Sequence, residues 1–364
     1  MATNKNQHYV PQCYLREFSM EGANSAINLF NIDRKKFIAC APIKNQCSKN
    51  YFYGKDLRIE KALQPIEGEY SSVLKAISKP GYCLTDDHRR VLARFWLLQN
   101  MRTEAASRRS ILLSEEMSEG LGGDAVNFKV ELEEAVQNSM NAFIHNITAI
   151  DDLKVCLIKN KSNIDFITSD DPAVLTNKWY LVDDRAAGKS FGFGSAGNVV
   201  LLPLTPKIFC LGYDGSLYNV SHKKGWLEIK DEQDVQALNE HQFLNCRANI
   251  FVRDLTDKDK LLAAFECTEN NRPESRHKIN YAILDSIEDG EKTYKCVSAE
   301  EARGVVDSMV HCQRIDANPN LWPKQIRWRP RGFAYTNDSG AGFIRQELAK
   351  TMPNEGFRKE RINK

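Results

Sequence analysis

The chain has 364 residues, 42% hydrophobic and 27% charged, the ordinary composition of a globular protein long enough for one large domain or two. Its start, MATNKNQHYV, has no apolar centre, and no window approaches 18 uninterrupted apolar residues, which argues against secretion and membrane spanning. Ten cysteines lie singly with no CxxC pair, which argues against a zinc set or a disulfide framework and fits a reduced cytoplasmic protein.

The net charge of +2 hides an imbalance: from Lys324 to Lys364 ten Lys or Arg face four Asp or Glu. This basic end, with Trp322 and Trp328 at its start, is either a solvated tail or a surface for nucleic-acid phosphates.

In chain order, the first dense stretch of polar chemistry is His8-Tyr9-Val10-Pro11-Gln12-Cys13-Tyr14-Leu15-Arg16-Glu17-Phe18. Val10 is held extended by the following proline, and Pro11 suits the first position of a helix. A strand-like His8 therefore runs into a short helix with Gln12 and Arg16 one turn apart, anchored by Tyr14, Leu15 and Phe18. Residues 26–32 and 37–41 predict an antiparallel hairpin around Asp33-Arg34-Lys35-Lys36. Residues 58–78 carry apolar side chains at helical spacing through Ile59, Leu63, Ile66, Tyr70, Val73 and Ile77, with Pro65 as a point of kinking or splitting. On the neighbouring face Glu60 and Glu67 lie two turns apart, an arrangement suited to holding a metal or to acid and base roles.

Thr85-Asp86-Asp87 caps a second helix that runs through Gln99 and Arg102 towards Glu119. Gln99 and Arg102 continue rows of apolar residues, so a buried guanidinium is expected, paired with a carboxylate or a bound phosphate. Gly120–Gly123 breaks the chain, and 126–150 reads as a third helix. From Lys154 the pattern is β, in short runs at 155–158, 164–168, 199–202, 208–212, 217–220, 250–252 and 279–284, with one helix at 232–246. The expected architecture is α+β: an N-terminal helical layer with a small β-hairpin, packed on a mainly antiparallel sheet. Residues 1–270 would form a single core domain and 271–364 an irregular extension, basic at its end.

Phe166-Ile167-Thr168-Ser169-Asp170-Asp171-Pro172 is an apolar run ending in hydroxyls and carboxylates, either a strand end presenting reactive groups or a turn shaped by Pro172. Gly192-Phe193-Gly194-Ser195-Ala196-Gly197 matches GxGxxG but precedes a strand and opens no helix, so no nucleotide cofactor is expected. Glu228-Ile229-Lys230 echoes a nuclease ExK pattern too common to carry weight.

HYVPQxYLRxF at residue 8, QNMRT at Gln99–Thr103 and FITSDDP at Phe166–Pro172 together resemble the bacterial family known as domain of unknown function 4238, over roughly residues 8 to 270. The resemblance supplies no activity. It implies a setting near mobile elements and antiviral systems, with a protein partner from a defence operon.

Two functions follow. In the first, the protein is a metal-dependent nuclease effector of antiviral defence, a hydrolase of phosphodiester bonds. His8 and Asp170 are its catalytic residues, Glu60, Glu67 and Asp170 hold Mg or Mn, and Gln12, Arg16, Gln99, Arg102 and Ser169 position phosphate. In the second, the same polar set is a structural network inside a non-catalytic recognition protein, whose working surface lies elsewhere, the basic C-terminal segment being the nearest candidate.

Overall fold

A computed structural model describes residues 5–121, 130–186 and 189–362. Gly122, Gly123 and Val126, where a chain break and a third helix were expected, lie outside them. The N-terminal half alternates short strands with long helices: β1 Asn6–His8, α1 Gln12–Leu15, β2 Ala26–Asn31, β3 Lys36–Pro42, β4 Ser48–Asn50, α2 Arg58–Ile77, α3 Asp86–Arg102, α4 Glu104–Leu121 and α5 Leu132–His145. The middle is β-rich, with β5 Lys154–Asn160, β6 Thr168–Ser169, β7 Val174–Thr176, α6 Lys178–Val182, β8 Val199–Thr205, β9 Ile208–Tyr213, β10 Tyr218–Asn219, β11 Trp226–Ile229, α7 Glu232–Asn245, β12 Asn249–Val252 and α8 Lys258–Glu269. The remainder carries β13 His277–Glu288, β14 Glu291–Val297, α9 Ala299–Ala302, β15 Ser308–Arg314, β16 Arg327–Trp328, β17 Phe333–Thr336, α10 Gln346–Thr351 and β18 Arg358–Arg361.

The fold is α+β. A five-stranded sheet in the order β11-β5-β9-β8-β7 is antiparallel except where β11 runs parallel to β5. A four-stranded antiparallel sheet, β3-β2-β12-β6, contains the expected hairpin. The expected single helix from Thr85 is two helices, because Thr103 is extended (φ −73°, ψ 156°) between α3 and α4. Pro65 does not split α2.

Helix α3 is wrapped in protein: Leu92, Phe95, Trp96, Leu97, Leu98, Gln99 and Arg102 are all buried. It lies between α2 and the larger sheet. Tyr70 of α2 stacks on Phe95 with ring centroids 3.5 Å apart, and Trp96 Nε1 donates to the Leu201 carbonyl of β8 at 3.1 Å. Burying these aromatic faces in a close-packed interior supplies most of the drive that docks helix on sheet. A second, smaller apolar cluster, with Phe30, Ile167, Phe243, Ile250 and Phe265, joins the small sheet to α7 and α8.

Residues 271–364, expected to be irregular, contain the antiparallel sheet β14-β13-β15 and a returning strap. Ile326, Ala334, Phe343 and Ile362 of that strap lie in the same apolar cluster as the N-terminal helices. Among the described residues no helix is long and apolar enough to cross a membrane.

Candidate functional site

The three motifs meet. Tyr14 on α1 is fully buried, and its hydroxyl donates to the Pro203 carbonyl at 2.7 Å. With its one proton so used, the phenol accepts from Thr168 Oγ1 of the FITSDDP stretch at 2.6 Å. Asn100 Nδ2, within QNMRT, donates to the Ala173 carbonyl at 2.8 Å. Gln99 Nε2 donates to the Tyr9 carbonyl at 2.8 Å.

Arg102 is 1% exposed and holds its guanidinium with three different acceptors. Nη1 donates to Glu67 Oε1 at 2.8 Å, Nη2 to the His8 carbonyl at 2.7 Å and Nε to the Tyr53 hydroxyl at 2.9 Å. The partner expected from burial is therefore a carboxylate of α2, and a backbone carbonyl completes the fork. Glu60 shares this neighbourhood: burial raises its pKa, and the nearby Glu67 charge adds to the rise.

His8 is partly buried beside this cluster. Burial lowers its pKa below the ordinary value, and Nε2 has no hydrogen-bond partner among the described residues. Gln12 and Arg16 point elsewhere: Arg16 Nη2 donates to Gln12 Oε1 at 3.1 Å on the surface, at a hollow of about 390 Å³ that Lys44 also lines.

On the other side of α3, the FITSDDP turn is consumed by backbone and side-chain bonds. Asp170 Oδ1 accepts from the Arg247 N–H at 2.8 Å, and Oδ2 accepts from the N–H groups of Ala248 and Asn249, both at 2.9 Å. These three donors pull its pKa down, but burial dominates and pushes it up to about 6. Ser169 Oγ donates to Gln242 Oε1 at 2.8 Å, and Gln242 Nε2 returns a bond to the Pro172 carbonyl at 2.9 Å.

Asp171, which the sequence reading left without a role, is fully buried and takes Thr103 Oγ1 at 2.7 Å and Arg109 Nη1 at 2.6 Å. Asn245 Nδ2 donates to its carbonyl at 2.6 Å. Tyr53, Thr103, Arg109, Asp171 and Gln242 were thus missed as members. Thr103 and Asp171 stood inside the quoted motifs, whereas nothing local marks Tyr53 or Gln242.

The site residues fall into three places: His8, Glu60, Glu67, Gln99 and Arg102 around the C-terminal end of α3; Ser169 and Asp170 at the α7–β12 corner; and Gln12 with Arg16 on the surface. Among the described residues no three His, Cys, Asp or Glu side chains gather closely enough to hold a metal ion. Glu67 is committed to Arg102 and both Asp170 oxygens face N–H groups, so Glu60, Glu67 and Asp170 do not form one cation cradle as placed. The GxGxxG loop is bound by Asn198 Nδ2 and by Arg345, and leads into β8.

Residues 6–256 match the family model described as "Protein of unknown function (DUF4238)". No curated protein and no solved structure matches the chain.

Proposed function

The chain belongs to the DUF4238 family, and from its geometry we propose that the three motifs are a scaffold in a non-catalytic recognition protein. The observation that carries this reading is saturation. Asp170, Ser169, Asp171 and Arg102 each spend their polar atoms on other parts of the chain: Asp170 and Arg102 bond backbone groups more than 70 residues away in sequence, Ser169 the side chain of Gln242, and Asp171 those of Thr103 and Arg109. Groups bonded in this way are held in place, which suits an internal network and leaves few lone pairs for a substrate.

A second reading, the phosphodiester hydrolase of antiviral defence, is favoured by one observation, the unpartnered Nε2 of His8. In it His8, kept neutral by burial, takes a proton from the attacking group. The carboxylates as placed do not fit a Mg or Mn ion, so no step passes through one.

Both readings are tested together by incubating wild type, His8→Ala and Asp170→Ala with labelled DNA and RNA, with and without Mg²⁺ or Mn²⁺, and melting each protein. The scaffold reading expects no cleavage by any of them and a loss of about 3–5 kcal/mol in Asp170→Ala, as three N–H groups lose their charged acceptor. Cleavage by wild type that His8→Ala abolishes without lowering its melting temperature would overturn it.

A further inference from the structure

The scaffold also gathers a group of arginines around a buried guanidinium. Where α4, the end of α7 and the β13–β15 sheet converge, four arginines approach one another: Arg109 on α4, Arg272 and Arg276 on the link into β13, and Arg314 at the end of β15. Arg276 feels the charges of all three others and of Asp171. The carboxylates nearby are already engaged: Asp171 takes Arg109 at 2.6 Å, Asp316 takes Arg314 Nε at 2.7 Å, Asp170 takes three backbone N–H groups and Glu116 faces His277 Nε2 at 3.0 Å. Arg272 is bonded to the Phe243 and Cys246 carbonyls at the end of α7, and Arg276 to the Leu244 carbonyl.

Those carbonyls account for part of the arrangement, since a helix C-terminus attracts cations. They are neutral, however, and among the described residues neither Arg272 nor Arg276 has a carboxylate in ion-pair contact. The crowding is costly. Burial, followed by repulsion from Arg109, lowers the Arg276 pKa to about 10. Arg276 has five N–H donors and, among the described residues, one hydrogen-bond acceptor, Leu244. Arg109 and Arg314 keep the group open to water, with side chains 33% and 40% exposed. Planar forks gathered at a partly open seam, two of them without a carboxylate in ion-pair contact and one with unused donors, are the chemistry that binds phosphate bidentately.

We propose that Arg276, Arg314, Arg109 and Arg272 form a binding site for a phosphate group at the seam between the helical layer and the β13–β15 sheet. It rests on the scaffold reading, because Asp171 and Thr103 of the motif network fix Arg109 in place. The phosphate can belong to a small molecule or to a nucleic-acid backbone, and the two are separated by the probe.

The test is calorimetric titration of the full chain with sodium pyrophosphate, and anisotropy of a labelled single-stranded DNA oligonucleotide with pyrophosphate as competitor, on wild type, Arg276→Gln and Arg314→Gln. Pyrophosphate binding weakened about tenfold or more in both variants is expected, one charged hydrogen bond being of that order. An oligonucleotide displaced by pyrophosphate assigns the phosphate to nucleic acid, and pyrophosphate binding without oligonucleotide binding assigns it to a small molecule. Arg314→Gln keeps the α7 cap, so it remains informative if Arg276→Gln folds poorly. Absence of pyrophosphate binding by wild type, or equal binding by a folded Arg314→Gln, overturns the site. Nuclease activity dependent on His8 would instead overturn the scaffold reading, so the two failures are distinguishable.

Discussion

At the scale of the residue, the polar groups of the interior are organised by the cost of leaving them unpaired. Arg102 can sit at 1% exposure because a carboxylate, a phenol and a carbonyl replace its water. His241 is the contrasting case. On α7 it is 2% exposed, packs edge-on to Trp322 at 5.2 Å, and its Nε2 has no hydrogen-bond partner among the described residues. Burial lowers its pKa from 6.5 to about 4. The folded chain therefore refuses a proton that the unfolded chain accepts between these values. Stability is unaffected above pH 6.5 and falls as the pH drops from 6.5 towards 4, by about 3 kcal/mol at most. Urea midpoints at pH 7 and pH 5 check this: His241→Phe, which keeps a ring against Trp322, should lose less stability on acidification than wild type.

At the scale of the element, Thr103 decides where one helix ends and the next begins. Its Oγ1 accepts from the Ala106 N–H at 3.1 Å, capping α4, and donates to Asp171 at 2.7 Å, so one hydroxyl ties the helix junction to the FITSDDP turn. Thr103→Val keeps the shape and removes both bonds. It should cost about 2 kcal/mol in chemical denaturation, whereas Thr103→Ser should recover most of the loss. The heptad-like rows of α3 were legible because apolar spacing survives in sequence. The break at Thr103 was not, because the carboxylate that holds its hydroxyl lies 68 residues later.

At the scale of the whole molecule, the C-terminal segment closes the fold. Glu240 accepts from the N–H groups of Asn320 and Leu321 at 2.6 and 3.1 Å, and Asp234 from that of Lys324 at 2.9 Å. Arg345, counted in the sequence among the charges of a basic end, is 4% exposed and forks onto Asp152 at 2.7 and 2.9 Å. Truncation after residue 320 removes the bonds of Leu321, Lys324 and Arg345 and the strap's share of the main core. It should lower the melting temperature of the remainder and expose apolar surface to a dye such as ANS, an effect larger than that of any single surface substitution. A tail used only as a binding surface would leave the melt unchanged.

The sequence by itself determined the α+β class, the amphipathic helices, the hairpin and the three motifs, because periodicity and turn chemistry act over a few residues. It also marked Arg102 as buried and paired, since a cation in an apolar row admits no other solution. Only the tertiary structure decided which atoms the motif residues face. Glu67 and Arg102 are 35 residues apart, Asp170 and Ala248 are 78 apart, and Thr103 and Asp171 are 68 apart. Such pairings depend on the direction of side chains after the sheet and helices have packed, and no local spacing encodes that direction.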